Sequence, residues 1–335
     1  MINPPVLCLG EILWDCWSDQ ADPLSGEVAV WTRYPGGAPA NVACALTKLG
    51  TPAGFIGCVG EDGPGEALVE LLQTLGVNTA GIQRHATAPT RQVEVLRSST
   101  GDRQFVGFIG GDTTVFADTH LQAKQLPVEL FSRANFLVTG TLGLAYPETQ
   151  QAIRQALALA EQYDLKILMD VNWRPVFWPE PDIAKPLILD IVKAVDFLKL
   201  SVEEAEWLFE TTDPSLIAQR LPDLAGVLLT AGEQGCTYWL SGNAGQIPAF
   251  AVAVADTTGA GDSFVAGFLH QLCQHGTPAL NDPTKADQMV RYASAVGALT
   301  TTRMGAIAAQ PTPAEVSTFL QSFPSSETKA YTSSP

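Results

Sequence analysis

The chain has 335 residues, 46% of them hydrophobic, which suits one large α/β domain carrying an insertion and excludes wholesale disorder. Its formal charge of −16 excludes nucleic-acid binding, which needs a basic footprint. The same charge sets a condition: a polyanionic ligand must be held by main-chain amides and metal ions rather than by a basic patch.

In chain order, Met1–Gly10 lacks the basic start of a secretory signal and runs into a strand at Val6–Leu9. Alternating apolar positions at Glu27–Tyr34, Arg91–Ser98 and Asp102–Phe108 predict antiparallel strands with one exposed face. They form a small β-sheet, a candidate lid, with Gly36-Gly37 and Gly110-Gly111 as hinges or as ordinary loop glycines. Buried strands are expected at Ala53–Val59, Phe136–Thr139, Leu165–Val171, Phe197–Leu200 and Val227–Thr230. Helices are expected at Pro39–Leu49, Gly65–Leu75, Tyr146–Gln162, Glu203–Phe209 and Asp262–Cys273. That alternation indicates a mainly parallel sheet covered on both faces. The expected division is a core of 1–10, 36–88 and 112–322, a lid of 11–35 and 89–111, and a frayed tail from Phe323 to Pro335. The stretch Ile183–Leu200 is broken by Lys185, Asp190, Lys193 and Asp196, so no membrane span is expected. Cys8, Cys16, Cys44, Cys58, Cys236 and Cys273 are scattered, which fits reduced core thiols in a cytoplasmic protein.

Chemistry concentrates in Asp256-Thr-Thr-Gly-Ala-Gly-Asp262, a small-residue turn between a strand-like run and an apolar helix. Gly259, Ala260 and Gly261 leave main-chain N–H groups uncovered at a helix N-terminus, where the dipole favours an anion. Asp262 in the first turn is expected to stay ionised and to serve as a general base, or else to cap the helix. A second cluster, Pro35-Gly-Gly-Ala-Pro-Ala-Asn41, offers Gly36 and Gly37 for close approach and Asn41 as donor and acceptor for hydroxyls. Asp15, after the first strand, can accept from neighbouring hydroxyls; capping is the bland alternative for both polar residues. No Gly-x-Gly-x-x-Gly follows the first strand, where Leu9-Gly-Glu-Ile stands, and the chain has no Gly-Lys dipeptide. A dinucleotide-binding oxidoreductase and a P-loop kinase are both disfavoured.

Together these segments resemble the two signatures of the ribokinase family, or pfkB carbohydrate kinases, over Val6 to about Ala309. The chain is most similar to the fructokinases, sharing Asp170-Val-Asn-Trp-Arg-Pro-Val-Phe-Trp178 and Lys199-Leu-Ser-Val-Glu-Glu204. The resemblance implies a three-layer α/β/α fold with a β lid, and ATP-dependent phosphorylation of a small sugar. It implies Asp262 as base, Gly259–Gly261 as anion hole, and Asp15, Gly36, Gly37, Asn41 and Arg174 at the sugar. Ser201 and Glu204 match the motif that supports Mg2+ and phosphates, with serine in place of asparagine. Thr230, Gly232 and Gly235 match the nucleotide site, and Asp256, Thr258, Thr300, Arg303 and Gly305 a monovalent-cation (K+) site. Ala309 stands where some relatives carry a hydroxyl. Fructose is the expected acceptor; ribose, 2-keto-3-deoxygluconate or a nucleoside are the rivals, and a non-catalytic sugar sensor lies further off. Acceptor recognition is expected from the lid strands near Arg91, Phe105, Phe108 and Asp112. The lid face, with Val28, Val30 and Phe105, is expected to pair two subunits into a homodimer.

Overall fold

A computed structural model describes residues 4–18, 31–97 and 103–323. Nine strands form the main sheet: β1 (Val6–Leu9), β4 (Ala53–Gly60), β5 (Asn78–His85), β8 (Phe136–Thr139), β9 (Lys166–Asp170), β10 (Phe197–Ser201), β11 (Gly226–Thr230), β12 (Cys236–Leu240) and β13 (Asn243–Ile247). Their order is β13-β12-β11-β10-β9-β8-β1-β4-β5. Every pairing is parallel except those joining β11, β12 and β13, an antiparallel edge that frames one side of the site described below.

The strands are apolar on both faces because both faces are covered. Along β1, Val6 and Cys8 point into one core while Leu7 and Leu9 point into the other, all four fully buried. On the Val6 side lie α1 (Ala38–Lys48), α2 (Gly63–Thr74), α8 (Ala260–His275), α9 (Pro283–Thr300) and α10 (Pro313–Ser322). On the Leu7 side lie α3 (Val128–Phe131), α4 (Pro147–Gln162), α5 (Ala184–Ile191), α6 (Val202–Phe209) and α7 (Pro214–Arg220). Three α/β/α layers are the result, as expected. Truncating one fully buried side chain, Leu7→Ala for instance, costs about 2–5 kcal/mol. No helix among the described residues is long and apolar enough to cross a membrane.

A separate sheet holds β2 (Leu13–Ser18), β3 (Trp31–Gly36), β6 (Gln92–Arg97) and β7 (Arg103–Phe108), in the order β3-β2-β6-β7. It contains the three expected strands, although Val28 and Val30 lie outside the described residues. Strand β2 was not expected, and it pairs with β6 in parallel, so the sheet is mixed rather than antiparallel. The reason is topological: β2 continues from β1 and β6 from β5, and those two strands point the same way in the main sheet. Leu13 and Val93 of the small sheet pack on Leu142, Tyr146 and Phe177 of the main body, with Phe105 and Phe108 against them. At the other end of the chain, Phe323 packs edge-on against Phe250 and tilted against Phe319, so the first residue of the expected frayed tail is held; residues 324–335 lie outside the described residues.

Candidate active site

The turn before α8 is fixed by Asp256. One carboxylate oxygen accepts from the Thr258 amide at 2.8 Å and hydroxyl at 2.7 Å, and the other from the Gly305 amide at 2.9 Å. Gly259 then caps α8 with φ 75°, a left-handed conformation in which a Cβ would sit 2.8 Å from the Ala306 methyl. A side chain is excluded there on both counts. Ala260 and Gly261 form the first turn and open onto a groove of about 710 Å³. The groove runs between the β11–β12 end and helices α8 and α9, and Thr230, Gly232 and Gly235 are among the residues that line it.

Asp262 lies in the same first turn and is buried. Its Oδ2 accepts from Asn41 Nδ2 at 2.7 Å, which joins two motifs 221 residues apart. Asn41 is presented by α1, whose first residue follows Gly37 at φ 101°. A Cβ at Gly37 would stand 2.5 Å from the Glu11 carbonyl oxygen. The Glu11 carboxyl accepts from the Ala38 amide at 3.0 Å, and burial pushes its pKa up to about 7. Burial likewise pushes Asp262 up to about 6, against the Asn41 hydrogen bond and the charges of Lys199 and Arg174, which pull it down. The helix dipole therefore does not keep this carboxyl in its ordinary range; desolvation wins. A carboxylate poised near neutrality suits a general base.

Asp15 sits half-buried on β2, opposite Tyr34, with its carboxylate against Gly36. Ser201 and Glu204 form the capping box of α6, and Glu204 also accepts from the Trp173 amide at 2.6 Å. That bond ties α6 to the loop carrying Arg174, which is exposed and donates to the Trp173 carbonyl at 2.9 Å. Both Glu204 oxygens hold main-chain N–H groups, an arrangement that fits support of Mg2+ through water rather than direct ligation.

The expected cation site is only partly assembled by side chains. Thr300 is buried and donates to the Val296 carbonyl, and Arg303 turns outward to pair with Glu315 at 2.7 Å. Asp256, Thr258 and Gly305 do converge, both Asp256 oxygens accepting from groups of the other two residues. Among the described residues no group of three or more His, Cys, Asp or Glu could hold a metal ion.

Arg91 departs from its expected place near the acceptor. It is wholly buried, donates to both Asp118 oxygens at 2.7 and 2.9 Å, and bonds Thr113 and Tyr146. Phe108, Phe116 and Phe177 surround its guanidinium. It anchors the stem of the small sheet and has no face toward a ligand.

Two features were missed. Lys199 and Asp170 form a buried ion pair at 3.0 Å beside Gly261, and Gln310 is buried and donates to the Asn41 carbonyl at 2.8 Å. A lone lysine inside the apolar strand Phe197-Leu-Lys-Leu-Ser201 was the available signal, since a charge there must be paired.

The pfkB family carbohydrate kinase model matches residues 3–313. Fructokinase-1 of Zea mays is 34% identical over 314 residues, 93% of this chain and 96% of its own. The crystal structure of a fructokinase with bound ATP from Xylella fastidiosa superposes with a TM-score of 0.87 at 29% identity, covering 96% of this chain and 99% of that one. A fructokinase double mutant from Vibrio cholerae O395, in a fructose-, ADP- and potassium-bound form, gives 0.82 at 26% identity, covering 95% and 98%. With the joined motifs, the groove and the two-sheet architecture, these similarities show that the chain belongs to the pfkB family of carbohydrate kinases.

Proposed function

We propose that this carbohydrate kinase transfers the γ-phosphoryl group of ATP to fructose, giving fructose 6-phosphate. The observation that carries the reading is the Asn41–Asp262 contact at 2.7 Å, which sets a buried carboxyl with its pKa raised to about 6 beside the glycine turn at 259–261. ATP occupies the groove bordered by Thr230, Gly232 and Gly235 with its phosphates toward Gly261. Fructose lies under the small sheet, held by Asp15 and Asn41 over Gly36 and Gly37, with Arg174 at the rim. Asp262 takes the proton of the attacking hydroxyl, and the turn amides stabilise charge on the group in transfer. Mg2+, supported by Glu204 and Ser201, would neutralise phosphate charge when bound. K+ would sit by the Asp256–Gly305 loop and stiffen the anion-binding turn.

Fructose is favoured over ribose, 2-keto-3-deoxygluconate or a nucleoside because the curated and structural relatives above are fructokinases. ADP release measured with each acceptor, with and without K+, tests this. Fructose should give the highest kcat/KM; turnover of another acceptor alone would replace it. A homodimer through the small sheet is part of the proposal, although Phe105, expected on the pairing face, turns inward against Phe108 and Phe177; light scattering after size exclusion checks it. A monomer at micromolar concentration overturns it.

A further inference from the structure

We propose that Lys199 is a further catalytic residue, one that donates an N–H to the phosphoryl group in flight; this deepens the kinase reading and rests on it. Lys199 stands on β10 directly opposite Asp170 on β9, and its ammonium lies 3.0 and 3.2 Å from the two Asp170 oxygens. An ammonium carries three donors, so one is left after both oxygens are served. Its position is fixed by Gly261: a Cβ added there would meet Nζ at 3.1 Å and no other residue's side chain as closely. The cation therefore lies against the first turn of α8, at the phosphate end of the groove that Gly261 lines. Both members of the pair are more than nine-tenths buried. A buried pair is a poor stabilising device, because desolvation offsets the attraction. Stability alone does not account for a lysine in the middle of an apolar strand.

In the reaction, the bond between the γ-phosphorus and the ADP oxygen breaks, with the electron pair left on ADP. A bond forms between that phosphorus and the sugar oxygen, whose proton passes to Asp262. Lys199 forms no covalent bond. It offsets the negative charge on the transferring oxygens that the glycine-turn amides share.

The test uses the full chain. Lys199→Met is made alone and in the Asp170→Asn background, where no uncompensated carboxylate remains if the lysine is lost. Circular dichroism and thermal unfolding establish that each variant folds. Relative to Asp170→Asn, the double variant should lose about 10²–10³-fold in kcat, with KM for the sugar and affinity for ADP little changed. Binding of a non-hydrolysable ATP analogue should weaken more than that of ADP, since only the analogue carries the γ-group. Lys199→Arg should recover part of the loss. Equal kcat in the double variant and in Asp170→Asn, or equal weakening of analogue and ADP, overturns the assignment. If the unaltered enzyme phosphorylates no sugar, the kinase reading fails instead, and the analogue-to-ADP comparison still reads Lys199.

Discussion

Asp262→Asn should make the protein inactive and more stable at once. In the folded chain, burial moves the Asp262 carboxyl from its ordinary 3.8 to about 6. The folded state thus holds a proton that the unfolded chain releases, and the carboxylate burdens folding by up to about 3 kcal/mol above pH 6. That burden is absent below about pH 4, where the acid is protonated in both states. Asparagine carries no charge to desolvate and keeps an oxygen to accept from Asn41. The variant should therefore gain about 2–3 kcal/mol over the parent at pH 8 and little at pH 4, read from urea unfolding monitored by circular dichroism. Its kcat should fall about 10²–10⁴-fold, the share of a general base. The parent's kcat/KM should decline as pH drops through about 6, where the base takes up a proton. A stability difference that is flat in pH, or one favouring the parent at pH 8, would refute the claim that desolvation governs this carboxyl.

Asn41→Leu removes the hydrogen bond that lowers the Asp262 pKa, so the acid limb of the kcat/KM profile should move to higher pH; an unmoved limb counts against the contact. Arg91→Met leaves Asp118 buried without its partner and should cost about 3–5 kcal/mol in urea unfolding, an effect absent if the pair opens to solvent. Gly259→Val forces a branched side chain into a left-handed turn against Ala306, and ATP binding by calorimetry should fall at least about tenfold. Gln310→Leu keeps the volume but drops the bond to the Asn41 carbonyl; kcat should fall about two- to tenfold with ATP affinity unchanged.

What was legible in the sequence follows from where the information lies. The six expected buried strands appear because each is a mainly apolar run, which a doubly covered sheet explains, the charges at Lys166, Asp170 and Lys199 being ion-paired. Strand β5 was missed because Asn78-Thr-Ala-Gly-Ile-Gln-Arg-His85 is a half-exposed edge with no apolar run. Helix α9 was missed because its buried face, including Ala286, Val290, Ala293 and Gly297, is built from small residues that give a faint periodic signal. The hairpin β12–β13 alternates too briefly to stand out. At the site, glycine turns and acidic residues were readable as local patterns. Partners were not: Asn41 reaching Asp262, Gln310 reaching Asn41, and Lys199 beneath Gly261 are all long-range contacts. The rise of the Asp262 pKa to about 6 was not readable for the same reason, since a local dipole can be seen in sequence and burial cannot.

The net charge raised the question of how so acidic a chain grips a polyanion, and the placement of its cations answers it. Arg91 is given to Asp118, Arg154 to Asp190, Lys166 to Asp196 and Arg303 to Glu315, so these cations are committed to carboxylates away from the 259–261 turn. What faces the turn is neutral backbone, with one ammonium behind it and Arg174 at the rim. Main-chain dipoles are already oriented when the ligand arrives and need no reorganisation, which is where electrostatic catalysis is most effective. An acidic exterior then repels free phosphates at long range without weakening the grip at contact, because screening confines surface repulsion to about 8 Å at physiological salt. Substrate association should accordingly quicken as ionic strength rises, while kcat stays level. Stopped-flow binding of ATP with Mg2+ across a salt series would detect that, and a rate that slows with salt would mean that a basic funnel, not the turn, draws the nucleotide in.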